Sequence, residues 1–233
     1  RAINPLGVPI DGKGTLTNTR AQTADLSTQA KDITSREIIT QQFLSGLMLI
    51  DTLLPIGKGQ RELIIGDAHS GKTSFLMDLV AGQAQQGTVC VVASIGKPIS
   101  ELRSILDILH QNKAISSTII VATSSSDPSP LIFFTPHAAL SIAEYFQNQG
   151  KDVLVILDDM GIHAKTYREL SLLGGRPPGR ESYPGDIFFI QARLLERAGR
   201  FNEKSGGGSI TALPVIEINL NDFTTFVPTN LMA

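Results

Sequence analysis

The chain has 233 residues, which is enough for one large α/β domain or two small ones. Its formal net charge is -2 and its basic residues are mostly scattered, so the basic stripe that neutralises nucleic-acid phosphates is missing, and nucleic acid is not an expected partner. The single cysteine excludes an intrachain disulfide framework, and no apolar run approaches the roughly 20 residues of a membrane-spanning helix.

The first segment, residues 1–31, is rich in Gly, Pro, Thr and Asn. This composition predicts a linker that leads in from a preceding domain, rather than a part of a folded core. Residues 32–233 are predicted to form a separate, folded unit. Because the chain starts at Arg1 in a turn-rich segment and stops without a terminating element, we expect it to be an excised part of a longer protein.

From residue 32 onward, short apolar runs alternate with segments of helical periodicity. This alternation predicts right-handed βαβ crossovers and an α/β fold, with a mostly parallel sheet flanked by helices. Cys90 lies in one of the apolar runs and is predicted to be a small buried hydrophobe. The predicted strands are 63–65, 89–93, 118–122, 153–157 and 211–216, and the predicted helices are 72–86, 99–111, 136–149 and 187–200.

The segment between the first of these strands and the first helix fits the phosphate-binding pattern G-x-x-x-x-G-K-[S/T] at every required position. Its glycines let backbone N–H groups turn onto phosphate oxygens, and the following helix directs its positive dipole end at the same anion. Lys72 is predicted to reach the β- and γ-phosphates, and the Thr73 hydroxyl to bind Mg²⁺. The predicted ATP- or ADP-binding residues are Gly66, Asp67, Ala68, His69, Ser70, Gly71, Lys72, Thr73 and Ser74. Residues 32–233 are therefore predicted to be a P-loop nucleotide-binding domain.

A second acid is expected at the carboxyl end of a neighbouring strand, where parallel sheets bind their ligands. The apolar run 153–157 is followed by Asp158 and Asp159. Asp158 is the candidate that holds Mg²⁺ together with Thr73, either directly or through water. The alternative is that the two aspartates only end a strand and begin a turn.

The four histidines show no metal-ligand spacing with one another. Each is predicted to be a surface or loop residue rather than a zinc ligand, so no transition metal is expected. These residues are His69, His110, His137 and His163.

Three blocks of the sequence resemble the alpha subunits of the rotary, membrane-coupled ATP synthases. The first is residues 55–67 with the Gly-Lys-Thr ending of the phosphate loop, the second includes Arg-Pro-Pro-Gly-Arg-Glu at 176–181, and the third extends from the glycines at 206–208 to 227–230. Together they cover nearly the whole chain. Beta subunits share the phosphate loop but not the 176–181 block, while export ATPases and the Rho helicase share the core more distantly.

The resemblance implies a RecA-like nucleotide domain that binds Mg-ATP without turning it over. It also implies an alternating hexamer with beta-type catalytic subunits, a central rotary stalk and a peripheral stalk, coupled to proton or sodium transport. The chain would then lie peripherally on the cytoplasmic, matrix or stromal face of an energy-coupling membrane, and would meet that membrane only through the complex.

Three positions depart from the pattern of the family. Hydrolysing relatives carry a glutamate that aligns the attacking water just after the strand that follows the phosphate-loop helix, and alpha subunits usually carry glutamine there. This chain has Lys97, which cannot act as a carboxylate base. Glu101, one helical turn further on, is the alternative base. Ala68 and His69 stand where alpha subunits generally have arginine and glutamine.

No catalytic residue is therefore predicted, and the chain is expected to bind Mg-ATP without hydrolysing it. The main alternative is a self-sufficient hexameric motor ATPase, such as an export ATPase or a Rho-like helicase. Lys97 and the 176–181 block favour the alpha-type interpretation. A small-molecule kinase would need an acceptor pocket and a lid, and the sequence shows neither.

Overall fold

A mostly parallel β-sheet forms the middle layer of the structure, a computed structural model that describes residues 1–16, 23–219 and 222–232. The described strands are β1 (Ala2–Ile3), β2 (Gln42–Phe43), β3 (Ile56–Gly57), β4 (Ile64–Asp67), β5 (Val89–Lys97), β6 (Thr118–Ser124), β7 (Asp152–Asp158), β8 (Gly199–Arg200) and β9 (Ser209–Ile218). The described α-helices are α1 (Met48–Leu53), α2 (Lys72–Gln85), α3 (Ile99–Gln111), α4 (Ser129–Gln147), α5 (Met160–Leu173), α6 (Ile187–Leu195) and α7 (Phe226–Met232). None of these helices is long and apolar enough to cross a bilayer.

The strand order across the sheet is β1-β6-β5-β7-β9-β4, and all of these neighbours pair in parallel. The short β8 adds antiparallel to β9, while β2 and β3 form a separate antiparallel ribbon. Parallel neighbours need crossover connections, which α3 and α4 supply between β5, β6 and β7. The predicted α/β class with a mostly parallel, helix-flanked sheet is confirmed.

Helices cover both faces of the sheet, so the central strands are buried on both sides. In β5, Cys90 and Val92 pack in the cluster that includes α2 and α3, whereas Val91 and Ala93 pack in the cluster that includes α4 and α6. Two buried faces explain why this strand reads as a continuous apolar run. The prediction that Cys90 is a small buried hydrophobe is confirmed.

Helices differ from the sequence prediction in several places, and α1 and α7 had no predicted counterpart. The helix predicted at 136–149 begins seven residues earlier, at Ser129, and continues through Pro136. The helix predicted at 187–200 ends at Leu195, because the chain then turns so that Gly199 and Arg200 can pair with β9. Helix α5, at Met160–Leu173, was not predicted at all.

Part of the segment predicted to be a linker belongs to the sheet. Ala2 is 1% exposed and pairs with Ile120 at the outer edge of β6, so the expectation that nothing in 1–31 joins the core is wrong for this residue. An ion pair of 2.6 Å between Arg1 Nε and Asp11 Oδ2 folds the following turn back beside it. A strand of two residues is too short to show alternation. The domain boundary near residue 31 stays a prediction.

The histidine prediction is correct for two residues and wrong for two. His69 and His110 are exposed, the first in the phosphate loop and the second near the end of α3. His137 is half-buried in α4, and His163 is fully buried in α5. The helix that carries His137 was predicted to begin only at residue 136, and the helix that carries His163 was not predicted. The buried face of each helix was therefore not identified.

Candidate nucleotide-binding site

The sequence-predicted site residues meet at one edge of the sheet. In the parallel register Gly66 of β4 lies opposite Glu217 of β9, and Asp158 of β7 lies opposite Ser94 of β5. Because β4, β9, β7 and β5 are consecutive neighbours, their carboxyl ends form a continuous row. This is the edge at which open parallel sheets bind ligands. The phosphate loop and Asp158 are therefore brought together as predicted.

The phosphate loop joins the end of β4 to the start of α2. Gly71, the residue before the helix, has φ of 91°, a left-handed conformation that strongly favours glycine. The N-cap residue of α2 is Gly71, which supplies no side-chain hydrogen bond to the first turn of the helix. Unpaired N–H groups and the positive end of the helix dipole suit a phosphate group. Ala68, His69, Ser70 and Ser74 are exposed around this turn.

Lys72 lies over the loop that carries it. Its Nζ donates hydrogen bonds to the carbonyl oxygens of Gly66 at 2.9 Å and Asp67 at 2.5 Å. The same ammonium lies 3.6 Å from Glu217 Oε2 at the end of β9. These contacts hold the positive charge at the mouth of the loop, where an incoming triphosphate would meet it. Thr73 follows as the second residue of α2 and is half-buried.

Asp158 ends β7 and is 6% exposed. Its Oδ2 accepts a hydrogen bond of 2.6 Å from Lys97 Nζ, which also lies 3.5 Å from Glu101 Oε2. Burial lowers the pKa of Lys97, but Asp158 and the other nearby carboxylates outweigh it, so its pKa is raised and the ammonium stays charged. Lys97 thus forms an ion pair with the candidate magnesium residue.

Comparison with known proteins identifies the family. The family model for the nucleotide-binding domain of the ATP synthase alpha/beta family matches residues 46–233. The chain belongs to the ATP synthase alpha/beta family. It is 46% identical over 233 residues to the ATP synthase subunit alpha of Staphylococcus aureus strains JH9, Newman and JH1. That match covers 100% of this chain and 46% of each relative, so the chain spans about half the length of these relatives.

Membership of the ATP synthase alpha/beta family confirms the resemblance drawn from the three sequence blocks, and with it the RecA-like P-loop fold. It also agrees with nucleotide as the ligand class, since the matched region is the family's nucleotide-binding domain. The sheet order explains the position of the site within that fold. The phosphate-loop strand β4 is separated from Asp158 by a single strand, β9.

The sequence did not reveal the role of Asp159 at this site. Its Oδ1 accepts a hydrogen bond from the Gly161 N–H and so caps α5, while its Oδ2 accepts one of 3.0 Å from the Glu217 N–H. Burial raises the pKa of Asp159 to about 6. Asp159 therefore ties the end of β7 to β9. An aspartate directly after an apolar run is a typical N-cap, which was the available signal.

The protein oxygen atoms at the site are too few to bind Mg²⁺ alone, but they suit Mg²⁺ that is also bound by a nucleotide phosphate. Among the described residues, no three His, Cys, Asp or Glu side chains form a cluster able to hold a metal ion. Magnesium often uses one or two protein oxygens and completes its shell with waters and substrate phosphates. The Thr73 hydroxyl and the Asp158 carboxylate are oxygen donors of this kind, although Asp158 is already paired with Lys97.

Proposed function

We propose that this chain is the nucleotide-binding part of a non-catalytic, regulatory alpha subunit of a proton- or sodium-translocating ATP synthase. The observation that carries the proposal is the pairing of Lys97 with Asp158 beside an otherwise complete phosphate loop. The loop supplies the means to bind ATP or ADP. Lys97 stands where a hydrolysing subunit needs a carboxylate.

Binding is assigned to the loop residues Gly66 to Ser74. Backbone N–H groups at the start of α2 and the Lys72 ammonium receive the phosphates, while Thr73 and Asp158 supply oxygen donors on the side of the metal. Bound Mg²⁺ would neutralise charge on the β- and γ-phosphates. The protein itself contributes orientation and the fixed positive charge of Lys72.

The acids nearest to Lys97 are already engaged in ion pairs or hydrogen bonds. Asp158 is paired with Lys97, and Asp159 accepts two backbone hydrogen bonds. Glu101, the alternative base, lies 3.5 Å from the Lys97 ammonium with its side chain 51% exposed. A general base must lie within hydrogen-bond reach of an aligned water, whereas Glu101 is paired with the Lys97 ammonium. This supports binding without hydrolysis.

The partners and location follow from family similarity. We propose that the chain alternates with beta-type catalytic subunits in a hexamer around the central rotary stalk, in contact with the peripheral stalk. The complex would lie on the cytoplasmic, matrix or stromal face of an energy-coupling membrane. Exposed apolar side chains at the end of α5 and on α6 are consistent with subunit contacts. These are Leu172, Leu173, Phe188 and Phe189.

Native mass spectrometry of the complete protein, purified from its source membranes with nucleotide content measured, tests the proposal. We expect a mixed hexamer with a second, beta-type subunit and intact ATP on this chain. The Lys72→Ala variant should assemble but lose this nucleotide, because it removes the phosphate-facing charge. A ring of identical chains that converts ATP to ADP would contradict the proposal and favour the self-sufficient motor.

A further inference from the structure

The carboxyl ends of four adjacent strands carry a row of charges. Lys97 ends β5, Asp158 ends β7, Glu217 lies near the end of β9, and Lys72 follows β4 across the phosphate loop. The signs run positive, negative, negative, positive. The two outer ammonium groups each pair with the acid beside them, at 2.6 Å for Lys97 and 3.6 Å for Lys72. The row contains two cations, Lys72 and Lys97, whereas the phosphate loop supplies only Lys72.

Lys97 is fixed in this row by the backbone of β5. The register between β5 and β6 shifts between Ser94 and Lys97, and Gly96 within this irregularity donates its N–H to Thr123 Oγ1 at 3.1 Å. Pro98 then ends the strand. The Lys97 side chain is 13% exposed and that of Asp158 is 8% exposed. A pair this short and this shielded is attenuated little by salt, so it persists at ordinary ionic strength.

The pair changes what Asp158 can do for a metal. A free carboxylate facing a triphosphate repels it, and a Mg²⁺ ion between the two relieves that repulsion. When an ammonium already neutralises the carboxylate, the repulsion is small and the carboxylate attracts a second cation less strongly. The need for a metal on this side of the site therefore decreases.

We propose that Lys97 is a built-in counter-cation of the nucleotide site, and that it makes ATP binding only weakly dependent on Mg²⁺. This inference rests on the proposed function, because it presupposes that the site binds ATP. It adds a statement of how the affinity for ATP depends on Mg²⁺. In this arrangement Lys97 takes over, through Asp158, part of the charge neutralisation that Mg²⁺ would supply.

Retention of radiolabelled ATP on the complete protein, in the assembly in which it is purified, measures the effect. Affinity is determined in excess Mg²⁺ and in EDTA, and the retention of the Lys72→Ala variant is subtracted to isolate this site. We expect the wild-type affinity to change less than about threefold between the two conditions. For Lys97→Gln we expect ATP to bind about tenfold or more weakly in EDTA than in Mg²⁺, since an unpaired buried carboxylate then faces the phosphates.

Two further variants distinguish the loss of the Lys97 charge beside Asp158 from a general effect of substitution. Lys151→Gln removes one positive charge from an exposed residue at the amino end of β7, about 20 Å from Asp158 at the rise of a β-strand, and should behave as the wild type. The double variant Lys97→Gln/Asp158→Asn removes both charges of the pair. It should return to a weak dependence on Mg²⁺, because the carboxylate that Lys97→Gln alone leaves without its partner is then removed as well.

The outcomes distinguish the inference from the proposed function. An equal dependence on Mg²⁺ in the wild type and in Lys97→Gln would overturn the inference while leaving ATP binding intact. No retention of ATP by the wild type in either condition would overturn the proposed function, and the inference with it. A wild-type affinity that falls tenfold or more without Mg²⁺ overturns the inference even if Lys97→Gln does not assemble.

Discussion

His163 lies in an apolar interior that leaves both of its ring nitrogens without a hydrogen-bond partner. It stacks on Phe133 of α4 with ring centroids 5.0 Å apart, and His137 lies at 6.0 Å. Burial lowers the pKa of His163 to about 3, and burial also lowers the pKa of His137 to about 4. Both imidazoles are therefore neutral at physiological pH. This neutrality links the stability of the domain to pH.

The sign of this linkage is set by the native pKa lying below that of the unfolded chain. Between about pH 6.5 and pH 3 the unfolded state binds the proton and the native state does not, so stability falls as the pH falls. From pH 7 to pH 5 the loss from His163 alone is about 2 kcal/mol. We expect His163→Phe to remove this loss, and to stabilise the protein at pH 7 by about 1 kcal/mol because no unpaired nitrogen is buried.

Denaturant unfolding of the complete protein at pH 7 and pH 5 measures both effects. His110→Phe is the matched control, because His110 is exposed near the end of α3, and it should leave the pH dependence as it is. An unchanged difference between the two pH values in His163→Phe would show that His163 is not a source of the acid sensitivity.

At the scale of an element, the turn into β9 depends on how closely two backbones approach. Gly207 and Gly208 have nearly the same positive φ, at 67° and 68°. A Cβ on Gly207 would meet nothing closer than 3.9 Å, whereas a Cβ on Gly208 would collide with the carbonyl oxygen of Lys151, just before β7. An alanine at Gly207 therefore introduces backbone strain alone, whereas an alanine at Gly208 adds a steric collision.

We expect Gly207→Ala to cost about 1 kcal/mol, the penalty of a left-handed conformation for alanine. Gly208→Ala should cost several kcal/mol, because the backbone of β7 or of β9 must also move. Thermal or denaturant unfolding of the two variants beside the wild type gives the comparison. Equal losses would mean that the approach of the two backbones is not what requires glycine at Gly208.

At the scale of the whole molecule, the sheet is extended at one edge by a strand from the start of the chain. Ala2 packs in the same core cluster as α2 and α3, although more than 100 residues separate it from its partner Ile120. This strand covers the open edge of β6. Ala2 and Ile3 are thus paired with the sheet.

We expect Ala2→Asp to destabilise the protein by about 2 kcal/mol or more, because it buries a carboxylate in an apolar cluster. Leu6→Asp is the matched control, since Leu6 is 72% exposed in the following turn and should tolerate the charge. Limited proteolysis and unfolding of the complete protein report the difference. If both variants were as stable as the wild type, β1 would contribute nothing to the fold.

The sequence by itself determined the features that are written in contiguous residues. The phosphate loop is one such feature, because its chemistry requires glycine, lysine and threonine at fixed spacing within one turn between a strand and a helix. The apolar runs of the parallel strands are another, since burial on both faces favours apolar residues there. The identity of Lys97 also indicated that the carboxylate of the hydrolysing relatives is missing after β5.

Only the tertiary structure decided which distant residues touch. Lys97 and Asp158 are 61 residues apart in the chain and meet because β5 and β7 are neighbours in the sheet. Strand order, helix α5 and the burial of His163 likewise depend on long-range packing, which leaves no local periodic signal. The physical reason is the same in each case. Charge pairing and burial act through space, whereas sequence patterns record only the preferences of neighbouring residues.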